Sequence, residues 1–357
     1  MASTGRDLSR CGSQVAKPPN AASATRRVVY VALIGNLLVT ATKFGAALWT
    51  GSSAMLSEAV HSFVDTGNEL LLLYGMHRAR RRPDAEHPIG YGRELYFWSF
   101  IVALQVFALG AGMSIYEGIL HVQHPEPIVD ASVNYVVLGL AFVFDGASWW
   151  MSFRQFRAAK GAMGYYEAFR SSKDPPSFMV LFEDTADLIG IVLAAAGTYA
   201  ASTLHLPVLD GVASILIGVM LAAIASLLAR ESKSLLIGER ADPGLSSSIL
   251  RIAEAASPLS RANGVLTVQL APDQVLAGLS LQFPPDLRAA EIEESVVDIE
   301  RQIRATHPEV RTLFIKPQTD DSWRQAVRLR FGDSAGDAGS ELVSAAPHRH
   351  LPSDGAP

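Results

Sequence analysis

Six stretches of this chain are almost entirely apolar, and each is long enough to cross a lipid bilayer, which takes about 20 helical residues. Polar segments separate them, and after the sixth the pattern changes to charged residues every few positions. The pattern predicts six membrane-spanning helices within residues 26–230, followed by a soluble domain over 235–317. The predicted spans are approximately 28–49, 53–75, 94–119, 131–153, 177–202 and 207–229.

The soluble segment has a periodicity of its own. Apolar positions at helical spacing predict helices over 243–257 and 287–305. Three runs with the composition of strands cover 264–272, 275–283 and 309–317. The order helix, strand, strand, helix, strand predicts a small α+β sandwich.

The two ends of the chain differ in composition from the rest. Residues 1–25 mix Ser, Ala, Arg and Pro without an apolar run, which predicts a disordered tail that lacks the core of a secretory signal peptide and leaves a mitochondrial presequence as an open alternative. Residues 320–357 are also predicted to be disordered, with His348 and His350 as a solvated pair. Cys11 is the one cysteine, so no internal disulfide can form.

Composition and charge support a membrane protein. Of the 357 residues, 49% are hydrophobic and only 18% are charged, which is too apolar for an ordinary soluble domain. Basic residues concentrate on one side of the predicted spans, so the positive-inside rule places both termini and the soluble domain in the cytoplasm, with a bacterial inner membrane as the expected host. These residues are Arg26 and Arg27, then Arg78, Arg80, Arg81 and Arg82, and then Arg154, Arg157, Lys160, Arg170 and Lys173.

Ionisable residues inside two of the spans indicate a cation site. His61 and Asp65 lie four residues apart in the second span, and Glu183 and Asp187 repeat that spacing in the fifth. Residues four apart share a helix face, so two helices together offer the four nitrogen and oxygen ligands that a tetrahedral divalent cation needs. A charge near the bilayer centre costs at least about 2.5 kcal/mol, which favours a functional interpretation.

Other polar residues in the spans leave alternatives open. Asp184 replaces Glu183 as a ligand if the register slips by one residue. Glu58 is three residues before His61, where it can act as a partner of a ligand, a proton relay or an entrance residue. Asp145 is either a functional carboxylate or a hydrogen-bonding packing residue. Lys43 can pair with one of these carboxylates but cannot neutralise them all.

These residues resemble a known family, the cation diffusion facilitators, which are six-span proton-coupled exporters of zinc and related ions. The resemblance rests on "TGSSAMLSEAVHSFVD", "HPIGYGRELYFWSF", "VLFEDTADLIG" and the soluble segment, and covers about residues 27–317. It implies an all-α six-helix transmembrane domain plus a small α+β ferredoxin-like cytoplasmic domain that mediates homodimerisation. It also implies that His61 and Asp65 bind the transported metal.

Two positions depart from the family pattern. Most members have His-x-x-x-Asp in the fifth span, whereas this chain has Glu183 with Asp187, as in a divergent acidic branch. The loop after the second span offers Asp84 and His87 for a second metal, but Tyr91 occupies the third position, which favours a purely structural loop. The soluble domain contains His307 alone, so metal sensing by several histidines is not expected.

The expected function is proton-coupled efflux of a divalent cation by alternating access. Zn²⁺ is the first candidate, and the acidic ligand set also suits the harder ions Mn²⁺ or Fe²⁺, or Co²⁺. The expected partners are metal ions, protons, lipid and a second copy of the chain, with no catalytic cofactor and no nucleic acid. The competing classes are a membrane metal sensor and an intramembrane metalloenzyme, although the His-Glu-x-x-His motif of metalloproteases is absent from the chain.

Overall fold

The computed structural model describes residues 21–125, 131–161, 164–256 and 260–331. The predicted tail residues 1–20, with Cys11, and 332–357, with His348 and His350, lie outside the described residues. In the described part, long helices form a bundle that precedes a smaller α+β unit. The bundle helices are α1 (Ala21–Thr50), α2 (Ser53–Ala79), α3 (Glu94–Gln105), α4 (Gly112–Gln123), α5 (Ala131–Lys160), α6 (Tyr165–Ser171), α7 (Pro175–Leu204) and α8 (Val208–Ile237).

The long helices follow the predicted apolar runs. Helices α3 and α4 are joined by a π-helical segment, Val106–Ala111, into one rod over Glu94–Gln123. By length and composition, three helices in the described part can cross a membrane, namely Glu94–Gln123, Ala131–Ala158 and Val208–Ile237. The apolar helical domain is confirmed, and six crossings stay a prediction.

Small residues allow close packing between α4 and α8. A Cβ atom on Gly118 would lie 2.7 Å from the carbonyl oxygen of Gly211, closer than side-chain carbons normally approach. Helices in lipid associate through such small residues because lipid removes the hydrophobic drive to pack. The main buried cluster spans α1, α2, α5, α7 and α8, with Ala111 from the π-helical segment, and includes Met55, Leu138, Ile191 and Ile217.

The α+β unit has the predicted order of elements. Strands β1 and β2 form an antiparallel hairpin, and β3 pairs in parallel with β2, giving the sheet order β1-β2-β3. Its core contains Ile249 from the first helix and Ile299 and Ile303 from the second, packed against Leu279 and Leu281 of the sheet. The elements are α9 (Pro243–Ala256), β1 (Arg261–Ala271), β2 (Gln274–Gln282), α10 (Ala289–Thr306), β3 (Val310–Pro317) and α11 (Asp320–Phe331).

The boundaries of both predicted tails need correction. Helix α1 begins at Ala21, within the tail predicted over residues 1–25, and α11 occupies Asp320–Phe331, where the second tail was predicted to begin. Helix α11 forms because of tertiary contacts that the local sequence pattern does not show. Trp323 and Val327 lie one turn apart and are buried, and the Trp323 ring lies against β1 at Gly264, where a Cβ would come within 2.6 Å.

Candidate metal centre

Helix α2 presents two of the predicted residues to the interior of the bundle. His61 is fully buried, and Asp65, one turn later, has a side chain that is 13% exposed. The Nδ1 atom of His61 lies 3.2 Å from Oδ2 of Asp65. The i, i+4 spacing therefore produces the predicted juxtaposition of imidazole and carboxylate.

Helix α7 contributes Asp187 to the same position. Its Oδ1 atom lies 3.3 Å from Nε2 of His61, on the side of the ring opposite Asp65. One potential ligand atom from each of His61, Asp65 and Asp187 lies within 4.8 Å of the other two. Within the described residues, this is the one group of three or more His, Cys, Asp or Glu side chains that close together. We call it the metal group.

The metal group is unusual in its hydrogen bonding. Both ring nitrogens of His61, both carboxylate oxygens of Asp65 and Oδ1 of Asp187 are buried, and none makes a hydrogen bond with another described residue. The ring nitrogens contact carboxylate oxygens at short distances, but without hydrogen-bond geometry. Buried polar atoms are normally satisfied, and a cation at this position would satisfy a nitrogen and two carboxylates at once.

Glu183, the fourth predicted residue, lies one turn before Asp187 on α7 and is buried, but it is not brought into the metal group. Its Oε1 accepts a hydrogen bond of 3.0 Å from the side-chain amide of Asn68 on α2. Asn68 is not predicted from the sequence pattern, although it is three residues after Asp65 and seven after His61, on the same face of the helix.

Asp184 faces a different helix from Glu183. Its Oδ2 accepts hydrogen bonds from the hydroxyls of Ser148 and Ser152 of α5, at 3.2 and 3.0 Å. Successive residues on a helix point about 100° apart, so Glu183 and Asp184 cannot both face α2. Of the two residues, Glu183 contacts α2 and Asp184 contacts α5.

Glu58 pairs with Lys43 of α1. The ammonium lies 3.2 Å from Oε2 of Glu58 and 3.8 Å from Oδ2 of Asp145, and donates a 2.7 Å hydrogen bond to Ser62. Lys43 and Glu58 are both fully buried. In this arrangement Glu58 and Asp145 pair with Lys43, and neither belongs to the metal group.

The loop between α2 and α3 is organised by Asp84. One carboxylate oxygen accepts hydrogen bonds from the backbone N–H of Glu86 and His87, and the other accepts a 2.5 Å bond from the Tyr91 hydroxyl. These bonds, that from Tyr91 foremost, lower the pKa of the Asp84 carboxyl below its ordinary value. His87 lies 3.5 Å from Asp84, and its ring lies beside Tyr91. Tyr91 therefore acts as a hydrogen-bond donor in a turn.

A further buried carboxylate, Asp210 of α8, was not singled out from the sequence. It accepts hydrogen bonds from the hydroxyls of Ser52 and Ser53 and from the backbone N–H of Ala54, at 2.9 to 3.2 Å, and a longer one from Thr198. Residues 52–54 form the first turn of α2, whose N–H groups have no partner within the helix. Asp210 thus holds the N-terminus of α2 against α7 and α8. Because Asp210 lies at the start of an apolar run, the sequence pattern did not indicate this role.

His307, in the α+β unit, makes contacts that join neighbouring elements of that unit. His307 lies at the end of α10, and its two ring nitrogens contact Ser248 at 2.8 Å and Glu309 at 3.2 Å. Within the described residues, His307 belongs to no group of three potential metal ligands. Its contacts connect α10 to α9 and to the start of β3.

Comparisons with known proteins agree with the bundle. A family model described as the cation efflux transmembrane domain matches residues 29–237. The chain is 35% identical over 230 residues to metal tolerance protein C4 of Arabidopsis thaliana, an alignment covering 64% of this chain and 50% of that protein. It is also 35% identical over 219 residues to the proton-coupled zinc antiporter SLC30A9, mitochondrial, of Xenopus laevis, covering 61% and 39% of the two chains.

A more distant relative has a different metal in its name. The manganese efflux system protein MneP of Bacillus subtilis is 24% identical over 221 residues, covering 62% of this chain and 71% of that protein. For the plant and Xenopus laevis relatives, by contrast, the chain spans only half or less of their own length.

Proposed function

We propose that this chain, which belongs to the cation efflux family of transporters, exports a divalent metal cation in exchange for protons, with Zn²⁺ as the first candidate. The observation behind the proposal is the metal group. His61, Asp65 and Asp187 meet between two bundle helices, and their buried ligand atoms lack hydrogen-bond partners among the described residues. A relative named as a proton-coupled zinc antiporter supports the choice of cargo and counter-ion.

We further propose that Glu183 completes the set as a fourth ligand. It is one turn from Asp187, and a change of rotamer would move its carboxylate from the Asn68 amide toward the metal group. One nitrogen with three carboxylates suits Zn²⁺ in four-coordination. The same oxygen-rich set is also compatible with Mn²⁺, Fe²⁺ or Co²⁺, and the name of MneP supports manganese as the alternative cargo.

The residues of the metal group also provide the exchange with protons. Imidazole binds a metal through a free nitrogen lone pair and carboxylates bind it when ionised, so protons and metal compete for the same atoms. In the proposed cycle, His61, Asp65 and Asp187 bind the cation from the cytoplasmic side. Relative movement of α2 and α7 then exposes them to the other side, where protonation displaces the metal. Return of the protonated group to the cytoplasmic side, and release of its protons there, restores the starting state.

The proposed topology has six crossings, with both termini and the α+β unit in the cytoplasm. Contacts between the bundle and the α+β unit support this side. Lys173, just before α7, forms a 3.0 Å ion pair with Glu239, just after α8, and Gly92 lies against β1 at Ala271. A bacterial inner membrane and a homodimer joined through the α+β unit remain part of the proposal, and cell fractionation and cross-linking would test them.

Flux measurements test the proposal directly. The purified full chain is reconstituted into liposomes. The liposomes are loaded in turn with Zn²⁺, Mn²⁺, Fe²⁺ or Co²⁺, with and without a pH gradient. We expect Zn²⁺ flux that increases when protons flow in the opposite direction. Absence of flux for all four metals, or flux that ignores the pH gradient, would contradict the proposal.

A further inference from the structure

Lys43 is a cation built into the bundle beside the metal group. It comes from α1 and is fully buried, with its ammonium directed at α2 and α5. Its three polar contacts are the carboxylates of Glu58 and Asp145 and the hydroxyl of Ser62, which is the residue next to His61. A buried ammonium is costly unless opposite charges surround it, and here two carboxylates do so.

The two carboxylates paired with Lys43 lie close to the metal group. Glu58 is three residues before His61 on α2, and its carboxylate fits against Gly190, three residues after Asp187 on α7. A Cβ atom on Gly190 would lie 2.2 Å from Oε1 of Glu58. Asp145 of α5 contacts the same ammonium, with 3.8 Å between its Oδ2 and Nζ of Lys43. Glu58 is therefore about one helical turn from His61 along α2, and Asp145 is joined to Glu58 through the Lys43 ammonium.

A larger number of oxygen ligands changes which metal a site prefers. Four-coordinate sites with nitrogen suit Zn²⁺, whereas Mn²⁺ prefers six oxygen-type ligands. The Oε1 atom of Glu58 already lacks a hydrogen-bond partner among the described residues, so the ion pair with Lys43 through Oε2 is what holds this side chain. Without the ammonium, the two acidic side chains would be left buried without a counter-charge, and a divalent cation bound at the metal group would supply one.

We propose that Lys43 is a specificity-determining residue that withholds Glu58 and Asp145 from the transported metal. By pairing with them it limits the cargo to the ligands of the metal group and Glu183, and so favours Zn²⁺ over the harder Mn²⁺. Lys43 acts as a positioning residue and does not itself bind metal. The inference rests on the proposed function, because it presupposes that the metal group binds the cargo.

The test compares Zn²⁺ and Mn²⁺ binding by isothermal titration calorimetry on the full chain in detergent. Lys43→Met keeps an unbranched side chain of similar length and removes the charge. We expect the ratio of Mn²⁺ to Zn²⁺ affinity to rise about tenfold, the size of effect typical of residues that support metal ligands. Adding Glu58→Gln and Asp145→Asn to Lys43→Met should restore the wild-type ratio. Lys233→Met, an exposed lysine on α8, is the matched control.

An unchanged ratio in folded Lys43→Met would overturn the inference. If that variant does not fold, Lys43→Met with Glu58→Gln removes the pair together, and the ratio should still rise because Asp145 is released. An unchanged ratio there would equally overturn it. Single Glu58→Gln and Asp145→Asn variants with Lys43 retained should bind Zn²⁺ as wild type does, and a loss of binding would identify them as ligands instead. If the wild-type protein binds neither metal, it is the proposed function that fails.

Discussion

Two buried acidic assemblies contact the same pair of helices, α2 and α7, and they differ in how their oxygens are satisfied. Asp210 accepts hydrogen bonds from four donors, namely the hydroxyls of Ser52, Ser53 and Thr198 and the backbone N–H of Ala54 in the first turn of α2. In the metal group, His61, Asp65 and Asp187 contact one another, and their buried ligand atoms make no hydrogen bonds with described residues. The first assembly is complete as folded, whereas the second is complete only with a cation or protons.

The difference offers a criterion that separates a carboxylate proposed to be functional from a structural one. Both are buried and both lie within apolar helices, so burial and hydropathy do not distinguish them. A carboxylate with donors from a helix N-terminus is stabilised by the fold itself. A buried group left without donors costs free energy, which selection would remove unless a ligand compensates for it. Breaking each assembly in turn should therefore produce opposite phenotypes.

The largest effect is expected from Asp187→Asn. It keeps the size of the side chain but removes a charge from the metal group, so Zn²⁺ affinity should fall by more than about 100-fold, beyond the loss typical of groups that only support a ligand. Thermal stability should stay the same or rise, because a buried charge is removed. Calorimetric titration with Zn²⁺ measures the first and scanning fluorimetry the second.

His77→Ala provides the control for that experiment. His77 lies on the exposed surface near the end of α2, so it shares the helix but not the site. The Zn²⁺ affinity of the His77→Ala variant should match that of the wild-type protein. Retention of tight binding by Asp187→Asn would show that the metal group is not the cargo site.

The opposite phenotype is expected from Asp210→Ala. Removing the carboxylate leaves Ser52, Ser53 and the N–H of Ala54 without their acceptor, which should lower the free energy of unfolding by about 2 kcal/mol. Zn²⁺ affinity of the folded fraction should hardly change. Denaturation in detergent, followed by titration of the folded protein, measures both. A large loss of affinity without destabilisation would make Asp210 functional and would remove the contrast.

An intermediate effect is expected from Glu183→Gln. The amide can keep a hydrogen bond with Asn68 but is a poor metal ligand, so Zn²⁺ affinity should fall about tenfold, less than for Asp187→Asn. Asp184→Asn on the neighbouring position should have a smaller effect, since Asp184 contacts Ser148 and Ser152 of α5. A reversed order of the two variants would favour the slipped register.

The smallest effect on transport is expected in the loop. His87→Ala should change Zn²⁺ flux by less than about twofold, as for most exposed substitutions, and should not change the number of Zn²⁺ ions bound per chain. Equilibrium dialysis with Zn²⁺ gives that number. A decrease by one ion would instead establish a second metal site at Asp84 and His87.

The loop also gives a prediction about pH. Because the folded state lowers the pKa of Asp84, its carboxylate stabilises the turn above the unfolded-state pKa, and this contribution is lost as pH falls through the folded-state pKa. Tyr91→Phe removes the main hydrogen bond, so the pKa of Asp84 should rise toward its ordinary value, the stabilisation should become smaller, and its loss should be complete at a higher pH. Carbon-13 NMR of aspartate-labelled protein, assigned with Asp84→Asn, measures the shift. An unchanged pKa would contradict the role of Tyr91.

Much of the fold could be predicted because it depends on local periodicity. The apolar runs mark the long helices, and alternation within residues 264–283 marks the β1–β2 hairpin. Helix α11 escaped prediction because ten of its twelve residues are not buried and its side chains are mostly polar or charged. Its formation depends on Trp323 and Val327 packing against the sheet, a contact between residues distant in the sequence.

The candidate site divides in the same way. Spacing of four residues was sufficient to place His61 beside Asp65, since i and i+4 side chains meet on any helix. Spacing could not show that Asp187 reaches His61 while Glu183 bonds to Asn68. That depends on how α2 and α7 cross, and the crossing depends on packing along both helices. The partners of Lys43 were equally hidden, because they come from α2 and α5.

The sequence by itself determined that the chain is a membrane protein with helical bundle and α+β parts, and that its buried acidic and imidazole groups lie at helical spacing. Both properties follow from the order of side chains along one segment, where hydropathy and a period of 3.6 residues operate locally. Only the tertiary structure decided which carboxylates are neutralised by Lys43, which are held by hydroxyls and N–H groups, and which are left to meet at His61. Those outcomes depend on distances of a few ångströms between separate helices, and no local pattern encodes such distances.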